Sequence, residues 1–340
     1  MNKQLLFELC SLDGVSGREH AVREYILKKL NESTVPKDIT IDAMGNILVH
    51  LCGKARASKV VLIDAHMDEV GFLITHINSD GTLCFDTVGG IDKCVLFGQR
   101  VRIGNVIGVI GGKAVHQCTK DEKGTVPTID NMTIDIGATN GEDAQMLVEI
   151  GQEGTFADGL QEWQGGKLVG KALDDRVGCA LLLSLAEKQP AQDIWLSFSV
   201  QEEVGLRGAK AVGEAVRPEI AVALDATTAG DIASSNDKTC VCRVGRGPVV
   251  SFADGGTVYD QELYKEIRAI ADEHGIETQT KNRIAGGNNS ASLQRSHIGA
   301  RVAAISLPCR YIHSPSCMAD ETDIDMMEKL LFLLAERLTV

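Results

Sequence analysis

Apolar and polar residues follow two different patterns along the chain. Residues 1–70 and 166–340 combine short apolar runs with stretches in which apolar residues recur every three to four positions. This predicts strands that alternate with helices, and so an α/β fold with a mostly parallel sheet and helices on both faces. Residues 71–165 consist of short β-like pieces separated by glycines. They predict a small β-barrel-like domain inserted into the α/β domain.

The same patterns predict individual elements. Ser16 and Glu19 have the spacing of a capping box, which predicts a second helix that runs to about Leu30. Buried strands are predicted at 59–65, 194–200, 220–226 and 300–308. Helices are predicted at the N-terminus and at 141–150, 177–188, 205–216, 260–275 and 321–338, and a hairpin is predicted to turn at 45–46.

Acidic residues and histidines stand at the ends of the predicted strands. These are His66 and Asp68 after 59–65, Glu202 and Glu203 after 194–200, Asp225 within 220–226, and His313 after 300–308. Ligands bind outside the carboxyl ends of the strands in open α/β sheets. We therefore expect these side chains to meet at one edge of the sheet.

The residue types in this group are those of a metal site. Histidine and carboxylate suit Zn²⁺ and related ions such as Co²⁺ or Mn²⁺. Two histidines with three or more carboxylates exceed the needs of one tetrahedral ion, and a carboxylate that bridges two ions would account for the surplus. The pair Asp174–Asp175 offers such a group, although alone it also reads as helix N-terminal charge. The other six histidines are interpreted as surface or structural residues: His20, His50, His76, His116, His274 and His297.

Composition narrows the classes of function. A formal net charge of -13 disfavours nucleic-acid binding. Ten cysteines without a CxxC pair are typical of reduced thiols. No run approaches the roughly 20 apolar residues of a membrane span, and the first residues lack the apolar core of a signal peptide. We expect a cytoplasmic protein that binds neither nucleic acid nor membrane.

Five stretches resemble the tetrahedral (TET-type) metallo-aminopeptidases, which include glutamyl and deblocking aminopeptidases. They are "DAHMDEVGF", "GKALDDRVG", "VQEEVGLRGA", "LDATTAGD" and "PCRYIHSP", in the family's order. The resemblance implies a zinc-peptidase-like catalytic domain of residues 1–70 and 166–340, with a β-rich dimerisation domain of residues 71–165. It also implies cleavage of N-terminal residues from short peptides by a homo-oligomer built from dimers, often a dodecamer.

The resemblance further implies a role for each residue of the group. The implied metal ligands are His66 and Asp225 for one ion, Glu203 and His313 for a second, and Asp174 as a bridge. Glu202 would be the general base, and Asp68 would hold the His66 ring in its ligating tautomer. Two divalent ions, Zn, Co or Mn, would activate one water molecule between them.

Several alternatives stay open. Members of this family have been labelled endoglucanases, and a glycosidase needs a pair of carboxylates, but that reading leaves the histidines unexplained. A non-catalytic assembly protein on the same fold, a deacylase and a carboxypeptidase are the others.

Two loops are expected to shape the substrate pocket, 233–240 ("ASSNDKTC") and 282–292 ("NRIAGGNNSAS"). In the second loop Asn288 and Asn289 replace the family's Thr and Asp, which puts substrate preference in doubt. Arg283 is interpreted as a solvated loop charge rather than a selector of acidic side chains, and Cys309 as a small buried residue.

Overall fold

The computed structural model describes residues 1–232 and 239–339, so most of the predicted pocket loop 233–240 lies outside the described residues. The strands are β1 (Lys37–Ile41), β2 (Ile47–Leu51), β3 (Val61–His66), β4 (Gly71–Ile77), β5 (Leu83–Val88), β6 (Arg100–Ile103), β7 (Val106–Gly112), β8 (Met132–Asp135), β9 (Glu153–Phe156), β10 (Gln161–Trp163), β11 (Lys167–Gly170), β12 (Ile194–Ser199), β13 (Ile220–Thr228), β14 (Val249–Val250), β15 (Arg301–Cys309) and β16 (Cys317–Asp320). The α-helices are α1 (Lys3–Ser11), α2 (His20–Glu32), α3 (Gly141–Gln145), α4 (Leu173–Ala186), α5 (Arg207–Val216), α6 (Gln261–Glu273), α7 (Ser290–Gln294) and α8 (Glu321–Arg337).

A seven-stranded sheet forms the centre of the α/β part, in the order β1-β2-β12-β3-β13-β15-β14. The strands β12, β3, β13 and β15 run parallel, and antiparallel strands complete both edges. Val61, Ile63 and Ala65 pack with helices α1, α2, α4, α6 and α8, whereas Leu62 packs with α5 and α7. Because neighbouring side chains in a strand point to opposite faces, helices cover both faces of the sheet, as the sequence predicts.

A closed barrel of six antiparallel strands lies within the predicted insertion, in the order β4-β5-β8-β7-β6-β9. Its own apolar core is separate from that of the large sheet. Phe72 lies at this core and packs edge to face with Phe85 and Phe156, with ring centroids 5.6 and 5.2 Å apart. The strands β10, β11 and β16 form a further small antiparallel sheet.

Charged residues join the barrel to the α/β part. Arg102 of β6 donates to both carboxylate oxygens of Asp13, at 3.0 and 2.6 Å. Asp13 also accepts from Thr155 of β9 at 2.7 Å and from the buried Lys171 at 3.2 Å. Lys171 in turn pairs with Glu69 at 2.7 Å. Because these pairs are largely buried, they fix the barrel beside the carboxyl end of β3.

Two local predictions are wrong. Helix α2 begins at His20 with Glu19 as its N-cap, and no side chain caps it. The Ser16 hydroxyl bonds instead to Asp68, so tertiary contacts override the capping-box spacing. The predicted helix 141–150 is only the short α3, which ends at Gln145. Within the described residues no helix has the length and apolar character needed to cross a membrane.

Candidate metal centre

The side chains predicted as metal ligands converge at the carboxyl edge of the parallel strands. His66 ends β3, and Asp225 lies in β13. Glu203 follows β12, His313 follows β15, and Asp174 lies in the first turn of α4. The register that pairs Ser199 of β12 with His66 brings residues distant in sequence to the same level. The order of strands therefore creates this cluster.

Asp174 lies between two groups of potential ligands. Its Oδ1 is 3.1 Å from His66 Nε2, which is also 3.9 Å from Asp225 Oδ1. Its Oδ2 is 3.3 Å from His313 Nε2, which is 3.3 Å from Glu203 Oε2. Each carboxylate oxygen of Asp174 thus faces a different histidine and acid, so that Asp174 could contact a separate cation on each side.

Hydrogen bonds orient both histidine rings. Nδ1 of His66 lies 3.1 Å from the Asp68 carbonyl oxygen, and Nδ1 of His313 lies 2.8 Å from the Gly90 carbonyl oxygen. Because a carbonyl oxygen only accepts, each Nδ1 carries the hydrogen, and each Nε2 faces carboxylates. A neutral ring would then direct the lone pair of its Nε2 atom towards negatively charged carboxylate oxygens. A cation between the ring and the oxygens removes this repulsion, so the donor set fits divalent metal ions.

The pKa shifts of the two histidines and of Asp174 also indicate that positive charge stabilises this site. Burial lowers the pKa of His66, but hydrogen bonds to Asp174 and Asp68 raise it well above its usual value. Burial also lowers the pKa of His313, yet Asp174 and Glu203 raise it to about 10. For Asp174, burial raises the pKa, and the two histidines more than reverse this, leaving it below its usual range. The site is thus acidic and favours protons or metal ions at the two Nε2 positions.

The remaining acids of the cluster are costly to ionise together. Burial raises the pKa of Glu202 to about 7, and the charges of Asp174 and Asp68 add to the rise. Burial and the nearby Asp174 also hold the pKa values of Glu203 and Asp225 well above their usual range. Ligand atoms of Glu202 and Glu203 lie within 4.8 Å of one another and of His66. Divalent cations would compensate these charges.

Asp68 connects His66 to the segment that carries the two glutamates. It is fully buried, and its Oδ1 is 3.4 Å from His66 Nδ1. The same carboxylate accepts from the backbone amides of Glu202 at 2.9 Å and Glu203 at 3.1 Å, and from the Ser16 hydroxyl at 2.6 Å. Asp68 therefore positions three members of the cluster at once.

Asp175 lies outside the cluster although it follows Asp174 directly. Its carboxylate accepts from the backbone amides of Gly178 at 3.0 Å and of His66 at 3.3 Å. Both aspartates have non-helical backbone angles within α4, and the peptide bond between them is cis. Of the pair proposed from the sequence, only Asp174 faces the histidines.

The structure also reveals supporting contacts that the sequence did not suggest. Asp64 is fully buried in β3 and accepts from the Asn289 amide at 2.8 Å and from the Ser199 hydroxyl at 3.2 Å. Asn288 donates to the Tyr259 hydroxyl at 3.0 Å. The two asparagines thus anchor the loop 282–292 beneath the cluster. An acid inside the apolar run "VVLIDA" was the one available signal for Asp64.

A cavity of about 180 Å³ opens beside the cluster. Its lining residues are Asp174, Glu202, Glu203, Asp225, Ala226, Thr227, Thr228, Lys281, Ala285, Gly286, Gly287, Asn288, Ile312 and His313. Part of the predicted loop 282–292 therefore forms its wall. Arg283 is exposed and does not line the cavity.

The histidines assigned no metal role lie elsewhere. His50 is half-buried beside Trp195, with ring centroids 4.8 Å apart, and its ring lies near Asp38 and Cys52. The other five are exposed: His20, His76, His116, His274 and His297. Cys309 is fully buried, as the sequence predicts.

Three solved structures, two of them named peptidases, share this fold. A TET aminopeptidase from Thaumarchaeota archaeon SCGC AB-539-E09 is 29% identical, with a TM-score of 0.94 over 99% of this chain and 96% of that chain. The TET1 peptidase of Pyrococcus horikoshii, which can assemble into a tetrahedron or a large octahedral shell, is 31% identical, with a TM-score of 0.86 over 98% and 99%. A Thermotoga maritima structure named endoglucanase is 33% identical, with a TM-score of 0.81 over 98% and 97%.

Relatives found by sequence similarity are named aminopeptidases. A protein named putative aminopeptidase from Acetivibrio thermocellus is 36% identical over 96% of both chains. The lysyl aminopeptidase of Pyrococcus furiosus is 32% identical over 98% of this chain and 97% of its own. The glutamyl aminopeptidase of Lactococcus lactis is 28% identical over 90% and 88%. The family described as M42 glutamyl aminopeptidase matches residues 45–330. The chain therefore belongs to the M42 glutamyl aminopeptidase family, whose members are hydrolases that act on peptide bonds.

Proposed function

We propose that the chain is an aminopeptidase that holds two divalent metal ions and removes single residues from the N-termini of short peptides. The observation that carries this proposal is the position of Asp174, whose two carboxylate oxygens face separate histidines at 3.1 and 3.3 Å. One ion would have His66 and Asp225 as further ligands, and the other would have Glu203 and His313. Zn²⁺, Co²⁺ and Mn²⁺ all suit nitrogen and oxygen ligands of this kind.

In the proposed mechanism the chemistry divides between the ions and the protein. When bound, the paired cations supply Lewis-acid activation of the attacking water and of the scissile carbonyl. Glu202 takes a proton from that water and returns it to the leaving amine. Without metal ions, burial raises the pKa of Glu202 to about 7. The bound cations would lower this pKa, so that Glu202 is ionised and able to accept the proton. Asp68 acts as a positioning residue, because it holds the His66 ring and the backbone of Glu202.

We also propose that residues 71–165 form the dimerisation domain and that the chain works as a homo-oligomer built from dimers, with a dodecamer as one candidate. Apolar side chains on this domain are exposed: Phe97, Ile107, Val109, Met146, Leu147 and Ile150. Such a surface marks a protein contact when it is contiguous. The assembly of the Pyrococcus horikoshii TET1 peptidase supports this reading. The cytoplasmic location stays a prediction from the sequence.

An endoglucanase activity is the second candidate, because one similar solved structure carries that name. A glycosidase would use two carboxylates that face each other across a sugar. In this cluster, however, the acids lie against histidines, which that chemistry does not need. Release of reducing sugar that resists a chelator would favour the glycosidase. A non-catalytic assembly protein would bind about two ions per chain and hydrolyse no peptide.

The direct test is a screen of chromogenic aminoacyl anilides with metal-free protein that has been refilled with Zn²⁺, Co²⁺ or Mn²⁺. We expect release of the chromophore only after refilling, and none from substrates whose α-amine is acetylated. The metal-free protein and the acetylated substrates are the controls. Failure of all three refilled forms on the whole panel would contradict the proposal.

A further inference from the structure

Lys281 is a buried lysine in the wall of the cavity beside the metal cluster. Only 4% of the residue is exposed, and it lines the same cavity as Glu202 and Asp225. It lies between Gln279, which bridges to Val249 at the edge of the large sheet, and the loop that carries Asn288. The backbone on both sides of Lys281 is therefore attached to the fold next to the proposed reaction site.

The ammonium group of Lys281 has little compensation within the protein. Nζ donates to the Ala285 carbonyl oxygen at 3.0 Å, which uses one of its three hydrogens. In the part of the chain that the structure describes, no carboxylate oxygen lies within 4.0 Å of Nζ. The buried Lys171 shows the contrast, since it pairs with Glu69 at 2.7 Å and Asp13 at 3.2 Å. A buried ammonium without an anion is costly, so an anionic ligand would stabilise it.

The rest of the cavity wall leaves Lys281 as the charge available to a substrate. The carboxylates of the cavity belong to the proposed metal centre, where ions would neutralise them. Thr227, Thr228 and Ile312 complete much of the wall and are neutral. Arg283, a basic residue two positions further along the chain, is exposed and does not line the cavity.

We propose that Lys281 determines specificity by binding the side-chain carboxylate of an acidic first residue, glutamate or aspartate, in this cavity. The inference rests on the proposed function, because the first residue of a substrate must lie beside the metal centre. Family membership does not decide the question, since the relatives include both a lysyl and a glutamyl aminopeptidase. The positive charge of Lys281 in the cavity wall of this chain favours an acidic side chain.

The test compares kcat/KM for the glutamyl, glutaminyl, leucyl and lysyl anilides, because glutamyl and glutaminyl groups differ mainly in charge. A hydrogen-bonded ion pair predicts that the wild type favours glutamyl over glutaminyl by about tenfold to hundredfold. Lys281→Met should abolish this preference, so that the ratio of kcat/KM for the glutamyl and glutaminyl anilides falls to about one. The matched control Arg283→Met, which removes a charge from the same loop, should keep the wild-type ratio.

A binding measurement separates this inference from the proposed function. Calorimetry with free L-glutamate and L-glutamine should show tighter glutamate binding to the wild type, and no preference in Lys281→Met. If no anilide is cleaved, the proposed function fails, and the calorimetric preference still decides the role of Lys281. An equal response to glutamyl and glutaminyl groups in the wild type would overturn the inference, as would an unchanged ratio in Lys281→Met. If Lys281→Met does not fold, Lys281→Arg should keep the glutamyl preference, and its loss there counts against the inference.

Discussion

At the scale of single residues, the cluster combines side chains whose charges conflict without a cation. Asp174 lies between two histidine rings whose other nitrogens are already committed to carbonyl oxygens. Glu202 lies in the same buried site, and burial raises its pKa to about 7. Such perturbed groups are typical of functional sites. The neighbouring acids therefore need separate tests of metal binding and of proton transfer.

Glu202→Gln tests proton transfer. The variant keeps the size of the side chain but cannot accept the proton, so we expect kcat to fall by about 10²–10⁴-fold while both ions stay bound. Metal analysis of the dialysed variant and its turnover of a good anilide check this. Loss of one ion from the variant would instead make Glu202 a metal ligand.

Asp68→Asn tests the positioning residue. The side-chain amide of asparagine would weaken the contact to His66. It would also place an N–H donor against the backbone N–H groups of Glu202 and Glu203, which now donate to the Asp68 carboxylate. We expect metal affinity to fall by about 10–100-fold, which titration with a competing chelator measures. Asp272→Asn, on the exposed side of α6, is the control and should bind as the wild type does. Unchanged affinity in Asp68→Asn would remove Asp68 from the supporting contacts.

At the scale of secondary-structure elements, the start of α4 determines which aspartate reaches the metal cluster. Asp175 turns back to cap the helix through the amide of Gly178, while Asp174 faces the histidines. A Cβ atom on Gly178 would lie 2.3 and 2.6 Å from the Asp175 carboxylate oxygens. Glycine is therefore required there for packing.

Gly178→Ala should disturb this turn. The methyl group would displace the Asp175 carboxylate and with it the contact to the His66 amide. We expect a loss of about 1–3 kcal/mol in the free energy of unfolding, together with weaker metal binding. Chemical denaturation measures the first effect. Gly159→Ala is the control, because its Cβ would meet no atom within 4 Å, and equal stability of the two variants would contradict this role of Gly178.

The sequence predicts the parallel strands and the acids at their ends because both depend on local patterns. The apolar run that stops at His66 is one example, and β3 ends at that residue. The sequence fails where tertiary contacts decide. Ser16 has the spacing of a cap but bonds to Asp68, and the carbonyl of Gly90 orients His313 from a distant segment. Backbone groups carry no sequence signal, so such contacts cannot be read from residue types.

At the scale of the whole molecule, the inserted segment contributes to the site as well as to the surface. Gly90 follows β5 of the barrel, and its carbonyl oxygen accepts from His313. Arg102 of the barrel binds Asp13, which also bonds to Lys171 near the cluster. Contacts from the barrel therefore help to position residues of the metal cluster in the α/β part.

The stability of the metal-free protein should depend on pH. Burial raises the pKa of Glu202 from 4.5 to about 7, and the acids around His313 raise its pKa from 6.5 to about 10. The folded state thus binds more protons than the unfolded state, between about pH 4.5 and 7 at Glu202 and between about pH 6.5 and 10 at His313. The contribution of Glu202 to stability should be full below about pH 4.5 and be lost as the pH rises through about 7. The contribution of His313 should be full below about pH 6.5 and be lost as the pH rises towards about 10. Thermal unfolding at pH 5.5 and 8.5 checks this, and a metal-free Tm that does not fall at pH 8.5 would contradict it.

The exposed apolar residues of the inserted segment should hold the proposed dimer together. Met146 is 78% exposed and Ile150 64%, beyond the end of α3. We expect the double variant Met146→Glu, Ile150→Glu to shift towards the 36.4 kDa single chain in light scattering. Ile298→Glu, an equally drastic change on the α/β part, should leave the dimer intact. A wild-type protein that is already monomeric would contradict the proposed assembly.

We propose that Asp174 bridges two divalent ions, and anomalous X-ray diffraction from crystals of the zinc-loaded protein tests this. We expect two anomalous peaks about 3.5–4 Å apart, one beside His66 and Asp225 and the other beside Glu203 and His313, with the Asp174 carboxylate between them. A single peak, or peaks away from Asp174, would contradict the claim.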